Sequence, residues 1–197
     1  QRSLCSPVAD PRVTGEQKKI VQDDRKSRPE SNGRHVTISP AILAANGIHL
    51  PSSDPSVVLT FEEYRSIRRH VLANITRLEA AGTGASGRLL LVTSARPGDG
   101  KTFTSINLAL SLASGGERRV LLMDGDARRR SLVDYMGIKA ELGWVDLLER
   151  EDLTLADIVL HTNVPNLSVL PSGVPSHDLS DLVASRKMKD LLAELAA

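Results

Sequence analysis

The sequence is poor in most of the features that mark a specialised surface or compartment. Its single cysteine, Cys5, can form no internal disulfide, and with no metal-ligand pattern around it the residue reads as incidental. A reducing compartment fits that count. Aromatic residues make up 3% of the chain, and its two tyrosines, Tyr64 and Tyr135, read as packing residues rather than phosphoacceptors. Neither sign of charge prevails: 25 Lys and Arg against 24 Asp and Glu leave +1, which excludes a general polyanion binder and with it non-specific nucleic-acid binding. No apolar run reaches the roughly 18 residues of a membrane-spanning helix, and the N-terminus lacks the basic-then-apolar pattern of a signal peptide. A soluble, cytoplasmic chain is expected. It starts at Gln1 and stops inside a helical pattern at Glu194–Ala197 with no capping signal, so both ends read as cuts in a longer protein.

What is present divides near residue 58. Residues 1–58 mix charges, prolines and serines, as in Asp23-Asp24-Arg25-Lys26-Ser27-Arg28-Pro29, and read as a polar linker or arm. One short helix is spelled within it: Ser39 as N-cap, Pro40 at the first helical position, Ala41 to Asn46, then Gly47. Residues 59–197 carry the apolar periodicity. A helix over 59–80 starts near Thr60, with Glu62 and Glu63 in its first turn and Ile67, Val71, Ile75 and Leu78 on one face. Leu89–Val92 and Val120–Met123 read as buried parallel strands. The helix between them carries Ile106, Leu108, Ala109 and Leu112, completing a right-handed βαβ unit of about 30 residues. Trp144–Leu148 reads as helix and Leu167–Leu170 as a third strand. A last helix runs from Leu179 to the end, carrying Leu182, Met188, Leu191, Leu192 and Leu195. The fold class is α/β: a parallel sheet with flanking helices, incomplete at its C-terminus and preceded by a mostly irregular arm.

The chemistry concentrates in Ser94-Ala95-Arg96-Pro97-Gly98-Asp99-Gly100-Lys101-Thr102, between the first strand and its helix. Binding a phosphate needs backbone N–H groups turned toward an anion, and Gly98 and Gly100 permit such a turn at a helix N-terminus. Lys101 would reach the β- and γ-phosphates and the Thr102 hydroxyl would ligate Mg²⁺. Ala95 replaces the first glycine of the G-x-x-x-x-G-K-[ST] pattern, so the loop is a deviant one. The candidate cofactor-binding residues are Pro97, Gly98, Asp99, Gly100, Lys101, Thr102 and Phe103. Directly after the second strand comes Asp124-Gly125-Asp126-Ala127-Arg128-Arg129. Ligands of open parallel sheets sit beyond the carboxyl ends of the strands, where Asp124 and Asp126 would hold Mg²⁺ or accept a proton from an attacking hydroxyl. On the 59–80 helix, Glu62, Arg65 and Arg68 at three-residue steps line one side.

Taken together, the Lys101 loop, the Asp124-x-Asp126-x-Arg128 run and Glu62-x-x-Arg65-x-x-Arg68 resemble the bacterial tyrosine autokinases (BY-kinases) of capsule and exopolysaccharide biosynthesis, over about residues 60–197. In that family these elements are Walker A, Walker A′ and the oligomerisation motif. The resemblance implies a P-loop NTPase-like fold. It also implies an ATP- and Mg²⁺-dependent tyrosine autokinase with Lys101, Asp124 and Asp126 as catalytic residues and Thr102, Asp124 and Asp126 at the metal. Glu62, Arg65 and Arg68 would mediate homo-oligomerisation. The partner would be a membrane chain-length regulator of polysaccharide export, holding the kinase at the inner face of the membrane.

The chain departs from the family pattern in places. No apolar strand ending in a Walker B aspartate appears before Ala197, there is no C-terminal tyrosine cluster, and Arg130 stands where the family often has proline. A parallel sheet that lacks a central strand is expected to fold weakly and to be catalytically silent. Two other readings stay open. One is a positioning or partitioning ATPase of the MinD/ParA type, for which Arg96 would imitate the intersubunit lysine. The other is a non-catalytic ATP-binding module that regulates an export complex.

Overall fold

The computed structural model describes residues 34–50, 55–81, 87–116, 118–129 and 131–196, all within the unit Asn32–Ala197. Cys5, the charged stretch at Asp23–Pro29 and Arg130 lie outside these residues.

Part of the segment expected as an arm is core. It supplies β1 (Arg34–Val36) and α1 (Pro40–Ala45). The helix forms for the local reasons its sequence announces: Ser39 Oγ accepts the Ile42 N–H at 3.4 Å, Pro40 sits in the first turn, and Asn46 precedes a left-handed Gly47 at φ 70°. Its burial follows from contacts remote in sequence. Ile38, Leu43 and Ile48 are all at 0% exposure, and the Ile38 N–H donates to Asn163 Oδ1 at 2.8 Å.

The long helix α2 (Pro55–Ala80) packs along α3 (Lys101–Ser114). Its inner line runs through Tyr64, which is buried, and half-buried Arg68, Val71, Leu72 and Ile75. The expected apolar face is therefore corrected: Ile67 and Leu78 are exposed at 44% and 45%. On a helix of 3.6 residues per turn Ile67 stands about 100° away from its neighbour Arg68, and it is Arg68 that faces inward.

Downstream follow β2 (Val120–Met123), α4 (Ser131–Met136), α5 (Trp144–Glu149), α6 (Leu155–Ile158), β3 (Leu160–Thr162) and β4 (Leu167–Leu170). The chain closes with α7 (Leu179–Ala184) and α8 (Arg186–Ala196). The last two were expected as one helix. Ser185 divides them, donating from Oγ to Leu182 O at 2.6 Å and accepting the Met188 N–H at 3.2 Å, so one side chain closes α7 and caps α8.

The four strands are ordered β1-β3-β4-β2. β1 runs parallel to β3 and β2 parallel to β4, while the short connection between β3 and β4 makes that pair antiparallel. Alternation along β4 divides the core. Leu167 and Val169 join α1, α3 and α4 around Ile106, Leu110 and Met136, and Leu170 joins Trp144, Val145, Leu148, Ile158, Met188 and Leu191 on the opposite face. The sheet is thus covered by helices on both sides, as an α/β domain requires.

Leu89–Val92 is not a strand. Among the described residues it pairs with none, and Leu89, Leu90 and Leu91 are exposed at 54%, 51% and 83%. An apolar run becomes a strand when a neighbour accepts its hydrogen bonds, and among the described strands β2 is bonded to β4 alone. The expected βαβ unit keeps its helix and its second strand.

At the α5–β4 junction backbone packs closely on backbone. Trp144 and Val145 donate their N–H groups to Pro171 O and Ser172 O, each at 3.0 Å. A Cβ on Gly143 would fall within 2.2 Å of Gly173 N and 2.3 Å of Pro171 O. Backbone cannot yield there as a flexible side chain would. Gly143→Ala is expected to cost about 3 kcal/mol, the upper end for overpacking, read as a lowered urea midpoint with an unchanged m-value.

Candidate functional site

The loop before α3 is built around two left-handed glycines. Gly98 and Gly100 have φ of 88° and 85°, a region costly for any residue with a Cβ. A Cβ added at either meets nothing within 4 Å, so the space beside them is open rather than filled by the protein's own packing. Arg96 donates its N–H to Asp99 Oδ2 at 3.0 Å, and Ser94 Oγ donates to Arg96 O at 3.0 Å, which holds the turn from within. Lys101 folds back over this turn, its Nζ 3.1 Å from Ser94 Oγ and 3.5 Å from Arg96 O. Both acceptors are neutral oxygens.

α3 opens at this point without a side-chain cap, since its N-cap is Gly100 and its first turn carries no acid. The positive end of the helix dipole therefore meets this turn with no side-chain cap on it, an arrangement that favours an anion. Thr102 lies half-buried in that first turn. Phe103, expected among the cofactor-binding residues, packs partly buried against the core beside Gly47, and Pro97 and Asp99 are exposed on the loop.

Asp124 ends β2. It is 4% exposed, its Oδ1 accepts the Asp126 N–H at 3.0 Å, and its backbone N–H donates to Leu170 O at 2.9 Å. Trp144 fixes it from the far side, its Nε1 donating to Asp124 O at 2.7 Å. Asp126 is exposed on the turn that follows, and Ala127 is buried beneath it. Asn166 ties the C-terminal end of α3 to the start of β2, donating from Nδ2 to Ala113 O at 3.4 Å and accepting the Val120 N–H on its carbonyl at 2.8 Å, and α3 packs on β2. The carboxyl end of β2 and the amino end of α3 accordingly lie at the same end of the layer. Among the described residues no group of three or more His, Cys, Asp and Glu gathers to hold a metal by itself.

Of the expected docking residues, Glu62 and Arg65 form an ion pair on the exposed side of α2. Arg68 is turned the other way, donating from Nη1 to Ser111 O at 2.7 Å. Steps of three residues drift by about 60° each on a 3.6-residue helix, which separates the first two from the third. Two residues with a part in the site were missed from sequence. Ser94 takes the lysine, and Trp144 positions the Asp124 strand end. The signal for the second was the chain's one tryptophan, whose indole N–H needs a partner once buried.

The family model described as "AAA domain" matches residues 87–194, more than half of the chain, taking in the loop before α3 and the Asp124 strand end but not α2. The chain belongs to the AAA domain family. Its relatives include tyrosine-protein kinase ptk of Acinetobacter johnsonii, 33% identical over 138 residues that take in 70% of this chain and 18% of that protein. Tyrosine-protein kinase YwqD of Bacillus subtilis is 32% identical over 139 residues, 71% of this chain and 55% of that one. The chain therefore spans less than two thirds of either relative. The solved BceF tyrosine kinase domain superposes with a TM-score of 0.62 at 27% identity, over 83% of this chain and 65% of that domain. The resemblance to bacterial tyrosine kinases carried by the motifs is thus shown. A phosphate-loop domain of this kind is a nucleotide-binding domain.

The open space beside the two glycines gives a test that separates folding from binding. Gly100→Ala is expected to cost about 1–2 kcal/mol in stability from its left-handed φ, read in a urea titration. The same variant should lower affinity for a fluorescent ATP analogue by about tenfold or more, because the new methyl occupies the anion's place.

Proposed function

We propose that this chain forms the nucleotide-binding part of an ATP-dependent tyrosine autokinase that regulates the polymerisation and export of capsule or exopolysaccharide. The observation that carries the reading is the loop: two left-handed glycines facing open space, at an uncapped helix N-terminus, under a lysine held by neutral oxygens alone.

Lys101 exchanges Ser94 Oγ and Arg96 O for β- and γ-phosphate oxygens, which bear full charge and so form the stronger bonds. Gly98, Asp99 and Gly100 offer backbone N–H groups, with Pro97 fixing the turn. Thr102, Asp124 and Asp126 would hold Mg²⁺, a partial set that suits an ion which keeps waters and phosphate ligands. When bound, that ion supplies charge neutralisation at the phosphates. One of the two aspartates accepts the proton of the tyrosine hydroxyl as its oxygen bonds to the γ-phosphorus and ADP leaves. Trp144 keeps the strand end in register while this happens.

Glu62 and Arg65 on the exposed side of α2 are the proposed contacts of a homo-oligomer in which one copy's tyrosines reach the next copy's site, while Arg68 of the same motif is turned toward α3. Among the described residues no helix is long and apolar enough to cross a membrane. A membrane chain-length regulator is the proposed partner that keeps the protein at the inner face of the membrane.

Incubation of the whole protein with labelled ATP and Mg²⁺ tests the reading. Lys101→Ala should reduce phosphotyrosine by about 100-fold or more, as loss of one electrostatic stabiliser does. Hydrolysis without phosphotyrosine would move the chain to the MinD/ParA type of ATPase, and nucleotide binding with neither would make it a regulatory module. For assembly, Arg65→Ala should shift the protein toward monomer in size-exclusion light scattering; an unchanged oligomer removes Arg65 from the interface.

A further inference from the structure

The C-terminal end of α3 is capped from another helix. Its own last turn contains no Lys or Arg, although the negative end of the dipole and the last carbonyls favour a cation there. Leu112 O accepts the Gly115 N–H at 3.3 Å, and Ala113 O accepts from Gly116 N–H at 3.2 Å and from Asn166 Nδ2 at 3.4 Å. Ser111 O accepts from Ser114 Oγ at 2.9 Å and from Arg68 Nη1 at 2.7 Å. That last bond is the shortest of the set and brings the positive charge. The same Nη1 lies 3.5 Å from Ser114 Oγ.

Gly115 is shaped to this arrangement. A Cβ there would stand 3.1 Å from Arg68 Nη1 and 3.3 Å from Leu112 O, so the guanidinium uses the room a side chain would take. Arg68 itself lies on the inner line of α2, between Tyr64 and Leu72, rather than on the exposed side with Glu62 and Arg65.

We propose that Arg68 is an intrachain positioning residue that clamps α2 to the C-terminal end of α3 and so sets the phosphate-loop end of the same helix. α3 has 14 residues, about 21 Å at 1.5 Å per residue, and it is packed along most of its length, so it moves as a rod. The clamp fixes one end of that rod and Lys101 begins the other. Resting on the nucleotide-site reading above, the inference gives that site a control: a second copy docked on Glu62 and Arg65 pulls on the helix whose next turn holds Arg68.

The test compares wild type, Arg68→Ala, Arg68→Lys, Gly115→Val and the control Arg69→Ala in the whole protein, at concentrations where it is monomeric. Hydrogen exchange of peptides covering residues 108–116 is measured without nucleotide, and affinity is measured with a fluorescent ATP analogue. Arg68→Ala and Gly115→Val should each raise exchange over 108–116 by tenfold or more and weaken the analogue by threefold or more. Arg68→Lys should recover most of both, because it restores a cationic donor, and Arg69→Ala should change neither. Unchanged exchange in Arg68→Ala would overturn the clamp. Raised exchange with unaltered affinity would overturn the link to the loop. Wild type that binds no analogue would sink the nucleotide-site reading instead, with the clamp still decided by exchange.

Discussion

A helix leaves its first N–H groups and its last carbonyls without partners of its own, and in α3 the two ends are answered differently. At the C-terminal end the carbonyls of Ser111, Leu112 and Ala113 are met inside the chain, by Gly115, Gly116, Ser114, Asn166 and the guanidinium of Arg68. At the amino end no side chain caps the helix, and two left-handed glycines keep the approach clear. The asymmetry is the basis of the site. In the function proposed above, the open end receives charge, and the adjoining lysine, bonded to two neutral oxygens, changes partners.

The second half of the site depends on how β2 is held. The residue that follows it, Asp124, is nearly buried, and its backbone is gripped by Leu170 on one side and by the Trp144 indole on the other. Trp144 is in turn anchored by the close backbone contact of Gly143 with Gly173. Packing remote from the carboxylate therefore fixes where it stands. Asp126 is held by its backbone, its N–H on Asp124 Oδ1 and its carbonyl under the Arg129 N–H, while the residue itself lies exposed on the turn.

Much of the local structure was legible in the sequence. The Ser39-Pro40 helix start, the Trp144 helix, the β2 and β4 runs and the loop before α3 all formed where their residues announced them, because caps, turn residues and short apolar runs act within a few positions. Failures came where a partner decides. Leu89–Val92 has the composition of a buried strand, yet composition does not supply the neighbouring hydrogen bonds. Ile67 and Arg68 were ranked by polarity, whereas α3 presented a cluster of carbonyls to that side of α2. Ile38, Leu43 and Ile48 lie in 36–50, a stretch without Lys, Arg, Asp or Glu, and nothing local in it names the remote residues that cover them.

By itself the sequence determined the chemistry available: a deviant phosphate loop with Lys101 and Thr102, a pair of aspartates at a strand end, and a charged motif on a long helix. Spacing alone fixes these, since a turn needs glycine and a phosphate needs donors close together in the chain. Tertiary structure decided which way each group faces. Arg68 became a helix cap rather than a solvent-exposed charge because α3 lies along α2, and Asp124 became a buried, indole-held strand end because α5 folds over β2. Those outcomes rest on contacts between residues tens of positions apart, and no local pattern encodes them.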